Sequence, residues 1–176
     1  MHDFQRYTRA VQSDLALMYD WTRRTRENLL EFTDALPSDI YTLERPDFAY
    51  GSIRNIHAHI AFGYLLWVGV MGLGLNRDSL ELPAAQIPDS AAMRERFKTV
   101  DAILEEALEK FDDPDAMFER QYREETLKLT QRWIVVRLIT HEFHHKGQLL
   151  ALARVIGHPL PPEMGAELVG PFEVEE

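Results

Sequence analysis

The sequence predicts an all-α fold, a four-helix bundle with long crossover connections, and three observations carry that reading. Four long segments repeat apolar residues at the three-and-four spacing of a buried helix face. No alternating strand pattern of any length occurs, and proline, glycine or a capping residue separates each segment from the next.

The first helix spans about residues 4–35. Val11, Leu15, Met18, Trp21 or Thr22, Thr25, Leu29 and Phe32 form its stripe, and Pro37 ends it. A loop follows to residue 50, punctuated by Pro46 and Gly51. Ser52 suits the N-cap of a second helix that runs to Gly72 or Gly74. Residues 76–89 contain Pro83 and Pro88 and lead to a third helix, capped by Asp89 or Ser90, that stops near Phe111. Its stripe is Met93, Phe97, Val100, Leu104, Ala107, Leu108 and Phe111. Residues 115–128 are polar and read as a short strand-like or irregular crossover. The fourth helix runs from about 130 to 156, where Gly157 and the prolines at 159, 161 and 162 forbid continuation. Residues 1–159 are thus one bundle, and 160–176 form a Pro/Gly-rich tail, acidic at its end, that lies over the bundle or frays.

Composition narrows the chemistry. The 176 residues include no cysteine, so thiolate zinc sites, Fe–S clusters, disulfides and a cysteine nucleophile are excluded, and any transition metal must be held by imidazole and carboxylate. The formal net charge of -10 argues against a nucleic-acid partner. The one dense basic run, Arg23-Arg24-Thr25-Arg26, reads as a solvated face of the first helix. The apolar stretch 56–75 holds two histidines and four glycines and reads as a buried helix, not a membrane span. With no basic n-region opening the chain, the expected location is cytoplasmic. Trp21, Trp67 and Trp133 read as core and dimer-interface mass.

The segment Thr140-His141-Glu142-Phe143-His144-His145-Lys146-Gly147-Gln148 concentrates the chemistry. Ile134, Leu138, His141, His145, Gln148 and Leu152 fall on one seam, so His141 and His145 sit one turn apart, facing inward. Two imidazoles in an apolar seam are costly unless each nitrogen has a partner, and a metal ion satisfies both lone pairs. A third ligand must come from elsewhere. The second helix offers His57 and His59, which lie about 200° apart around the axis, so only one can join, and periodicity does not decide which. His144 reads as a surface residue. Gly147, costly inside a helix by about 1 kcal/mol, reads as a place where another helix approaches closely. Gln148 could orient a ligand or contact substrate.

Two stretches resemble the DinB-like, or YfiT-like, metal-binding four-helix bundles. One is Ser52-Ile53-Arg54-Asn55-Ile56-His57-Ala58-His59-Ile60; the other is His141-Glu142-Phe143-His144-His145-Lys146-Gly147-Gln148, followed by Leu152, Arg154 and Gly157. The resemblance covers nearly the whole chain in helix order. It implies a metal triad of His59, His141 and His145 binding a divalent ion, zinc or nickel, with open positions and a homodimeric assembly. Lys146, a candidate substrate contact, stands where the family more often has arginine, which keeps the charge but gives up bidentate anion binding.

Three imidazoles with an open position make a Lewis-acid site that lowers the pKa of a water or a thiol. The resemblance implies a metal-dependent enzyme of thiol S-transferase type acting on a small molecule, with a low-molecular-weight thiol as one such substrate, and activation of water at the same site gives a hydrolase as the other expectation. A non-catalytic, stress-associated metal-binding protein is the alternative. The string from His141 to His145 also satisfies H-E-x-x-H, the zinc hydrolase pattern with Glu142 as base. The longer metzincin form fails, because Gly147 falls one place early and Ala151 stands where a histidine is needed. Glu142, next to His141, points about 100° off the ligand face and reads as exposed or as a brace for the ligands. Since ligation needs neutral imidazole, metal affinity is expected to fall below about pH 6.5.

Overall fold

The protein is described by a computed structural model covering residues 2–165, 167 and 168, with side chains described from residue 14 onward. Its elements are α1 (His2–Asp34), α2 (Ser38–Tyr41), α3 (Ile53–Tyr64), α4 (Ser90–Lys110), β1 (Met117–Tyr122), β2 (Glu125–Thr130) and α5 (Gln131–Val155). Helix α3 continues without a break into a π-helical segment, Leu65–Gly72. Four long helices therefore pack as a bundle, with α3 against both α5 and α4, and α1 bridging α4 and α5. Among the described residues, no helix is long and apolar enough to cross a membrane.

Local chemistry sets the helix starts. Ser52, Asp89 and Thr130 each accept, through the side chain, the N–H of the third residue on, satisfying a donor that the first helical turn leaves free. Gly157, at φ +91°, follows the end of α5 in the left-handed conformation that glycine adopts without cost.

Three readings change. The crossover is a regular antiparallel hairpin, with Met117 opposite Thr130 and Tyr122 opposite Glu125. Phe118, Arg120 and Tyr122 form its half-buried face; the Arg120 guanidinium, 4.8 Å from the Phe118 ring centroid, occupies a position where an alternation count expects an apolar residue. On α1 the stripe is shifted: Tyr19 is 3 % exposed and Met18 37 %. The side chain of Val11, assigned to that stripe, lies outside the described residues, as do residue 166 and the acidic end of the tail from 169 on. The basic run is not wholly solvated either, because Arg26 is buried.

Arg26 is the polar centre of the bundle. Its Nε and Nη2 donate to the two oxygens of Glu142 on α5, at 2.7 and 3.0 Å, and its Nη1 donates to Asp101 on α4 at 2.6 Å. Tyr64 on α3 donates to the same Glu142 carboxylate at 2.7 Å, and Tyr19 donates to Asp101 at 2.5 Å. One guanidinium thus ties all four long helices together, beneath the ring of Phe97 at 4.5 Å. Glu142 is correspondingly buried, not exposed. Burial by itself would lower the Arg26 pKa, but Glu142, with Tyr19 and Tyr64 adding to it, more than offsets this and holds the pKa above the usual arginine value. Arg26→Ala leaves a carboxylate buried without its counter-charge and is expected to cost about 3–5 kcal/mol in chemical denaturation. A loss below about 1 kcal/mol would mean that water reaches Glu142.

Candidate metal centre

The rotation of α5 that turns Glu142 toward Arg26 turns His141 and His145 toward α3. One ring nitrogen from each of His59, His141 and His145 comes together, all within 4.8 Å of one another. His59 Nε2 lies 3.0 Å from His141 Nε2, and the three ring centroids are 4.3 to 4.9 Å apart. Among the described residues no carboxylate joins this group. The cluster sits at the edge of the bundle: His145 is buried, while His59 and His141 are half-buried and open toward solvent.

His57, the other histidine of α3, is elsewhere. It is fully buried, with Nδ1 3.1 Å from the Tyr41 hydroxyl and its ring edge-on to Phe97. Its Nε2 has no hydrogen-bond partner among the described residues, and burial pushes its pKa down to about 3. His57 is a neutral core residue on the α4 side, so of the two histidines of α3 it is His59 that lies beside His141 and His145.

Neighbouring residues prepare the cluster. Gln148 Oε1 accepts from His145 Nδ1–H at 2.8 Å, which leaves the lone pair of that ring on Nε2; the Gln148 amide in turn donates to His144 Nε2 at 3.2 Å. Gly63 on α3 gives His141 its space, since a Cβ there would lie 3.0 Å from the ring Cε1 and 3.3 Å from Nδ1. His141 Nδ1, pressed against that glycine, is buried without a partner among the described residues.

Two further expectations are corrected. Lys146 does not enter the cluster: it is buried against α1, its Nζ lies 3.4 Å from the Glu167 carbonyl and 5.4 Å from the Phe143 ring centroid, and burial lowers its pKa. The tail packs over this lysine through Glu167. Gly147 admits no close helix, because a Cβ there would meet nothing within 4 Å among the described residues.

A residue that sequence reasoning passed over completes the site. Tyr50, from the loop before α3, stacks on His59 with ring centroids 4.3 Å apart and brings its hydroxyl to 3.1 Å from His59 Nε2. Its left-handed backbone, φ +62°, is uncommon for a bulky residue, and a tyrosine in a sequence gives no sign of it.

A model of the DinB family matches residues 7–166. The chain belongs to the DinB family. The match runs through every long helix and into the tail, past the boundary at 159 expected for the bundle. No curated protein matches the chain.

Burial, with the neighbouring rings adding repulsion, lowers the pKa of both His59 and His141 to about 4, and burial also lowers that of His145. In the unfolded chain these rings titrate near 6.5. Between the two values the unfolded chain binds protons that the folded one refuses, so the stability these neutral rings allow is complete above about 6.5 and is lost as pH falls toward 4. In ion-free protein, NMR titration is expected to place the His59 and His141 midpoints near pH 4. Midpoints near 6.5 would show solvated rings and an open cluster.

Proposed function

We propose that this DinB-family protein binds a divalent cation of zinc or nickel type through His59, His141 and His145. On this reading it uses the open side of that site to activate a small thiol or a water, as a metal-dependent S-transferase or hydrolase. The observation that carries the reading is the convergence of three neutral imidazole nitrogens with no carboxylate among them. Two of those nitrogens face each other at 3.0 Å, within reach of a single cation. A bound divalent cation supplies Lewis acidity, which favours the deprotonated form of a thiol or water at neutral pH.

The chain's own residues do the rest. Gln148 keeps the proton of His145 on Nδ1, Gly63 keeps room for His141, and the partial exposure of His59 and His141 leaves a side through which a small molecule can approach. A closed structural site needs a fourth protein ligand, and no other histidine or carboxylate among the described residues joins the three. This favours the catalytic reading over a purely structural ion. The hydrolase with Glu142 as base loses support, since Arg26 and Tyr64 occupy both of its oxygens. The partners that go with this reading are a small molecule, a low-molecular-weight thiol among the candidates, and a second copy of the chain.

Replacing His59, His141 or His145 by Ala is expected to abolish stoichiometric Zn(II) or Ni(II) uptake in dialysed protein, while a conservative change at His57 leaves it intact. Equal loss at His57 would refute the ligand set. With His59 and His141 neutral to about pH 4 and His145 also lowered from its ordinary value, affinity is expected to persist below the 6.5 that free imidazole suggests. A metal-dependent reaction of a small thiol with an electrophile tests the catalytic half, and silence across a thiol panel with metal bound would leave a binding protein.

Gly63→Ala tests the room around His141 separately. The added methyl would have to displace the ring by a few tenths of an ångström, so Zn(II) affinity is expected to drop about tenfold, with the fold retained. Undiminished affinity would show that the ring does not need its present seat.

A further inference from the structure

Tyr50 sits where burial cannot account for it. It is 43 % exposed, yet its backbone is held in a conformation that is costly for a tyrosine, at φ +62°, beside Gly51 at +79°. The loop itself supplies the restraint. The Tyr50 carbonyl accepts from Asn55 Nδ2 at 2.8 Å, and the Gly51 carbonyl accepts from the Arg45 N–H at 2.6 Å. Glu44 accepts from both Arg54 and Asn55, and a Cβ on Gly51 would lie 2.6 Å from its Oε2. All of these partners belong to the loop or the first turn of α3. Together they form a clasp whose visible result is to seat one phenol over the histidines.

The phenol meets a particular atom. Its hydroxyl lies 3.1 Å from His59 Nε2, the nitrogen that also faces His141 at 3.0 Å, and its ring stands edge-on to His145 at 5.2 Å between centroids. A ring nitrogen carries either one proton or one lone pair. Whichever His59 Nε2 carries in the ion-free protein, the hydroxyl and a cation cannot both use it.

The geometry points to Tyr50 as a fourth functional residue of the histidine site: a hydroxyl that occupies the His59 nitrogen in the ion-free protein and must be displaced when a divalent cation enters. This rests on the metal-binding reading and deepens it. Tyr50 is a positioning residue that sets the cost of loading the site, and the strained loop is what keeps it there.

The test uses the full chain, with Zn(II) affinity from competition titration and Co(II) visible absorption as a spectroscopic readout. Tyr50→Phe keeps the stacked ring and removes only the competing hydroxyl, so it is expected to bind Zn(II) about threefold to tenfold more tightly, the scale of one hydrogen bond. Its Co(II) spectrum should match that of the wild type, because no ligand has been lost. Gly51→Ala, which unseats the clasp and leaves the hydroxyl in the chain, is expected to tighten binding in the same direction. Unchanged affinity in Tyr50→Phe overturns the proposal. Weaker affinity with an altered Co(II) spectrum also overturns it, by making the phenol a ligand. A wild-type chain that takes up neither ion defeats the metal reading and the Tyr50 proposal together, whereas normal wild-type uptake with an indifferent Tyr50→Phe defeats the Tyr50 proposal alone.

Discussion

The bidentate pair between Arg26 and Glu142 fixes the rotation of α5, and the candidate site depends on that rotation. Successive residues on a helix are about 100° apart, so an α5 that turns position 142 toward α1 has no choice but to turn positions 141 and 145 toward α3. A guanidinium fork accepts a carboxylate in one plane and one direction, which makes it a sharper angular restraint than apolar packing. Tyr64 and Asp101 brace the same fork from α3 and α4. The buried charge network is therefore better understood as a register device than as a source of net stability, since a buried pair gains little over well-packed apolar residues.

The electrostatics of the cluster follow from what is missing beside it. Burial strips water from the rings, no carboxylate in the group takes its place, and the neighbouring rings add repulsion, which is why His59 and His141 stay neutral far below the usual range. Neutral donors leave the whole charge of a divalent cation uncompensated. On the proposed reading, that favours an anionic fourth partner, and a thiolate or hydroxide is the simplest such group.

Much of this was legible in the sequence, because periodicity and caps are local. The spans of the four long helices, the cap at Ser52, the stop at Gly157 and the inward pairing of His141 with His145 all follow from residues close in the chain. The features that escaped are settled by distant contacts. Arg26 looks like one of three surface arginines until Glu142, 116 residues away, is placed against it. Gly63 looks like a flaw in α3 until the His141 ring lies on it, and Tyr50 like any loop aromatic until the clasp at Glu44 and Asn55 turns it inward. The hairpin escaped for a local reason, as Arg120 interrupts the apolar alternation that its neighbours Phe118 and Tyr122 would have displayed.

The same distinction explains why a complete H-E-x-x-H string need not carry hydrolase chemistry here. The motif specifies two ligands and an acid by spacing alone, but a general base also needs a free oxygen within reach of the proton it removes. Glu142 spends one oxygen on Arg26 Nε and the other on Arg26 Nη2 and the Tyr64 hydroxyl, all inside the bundle. To act as a base it would have to give up its bidentate pair with a buried arginine, which would then keep Asp101 alone, at a cost of a few kcal/mol. Its neighbours on either side of the motif can still meet an ion, because the histidines and the glutamate belong to different faces of one helix. What the string encodes in this chain is a pair of ligands on one face and the clamp that aims them on the other.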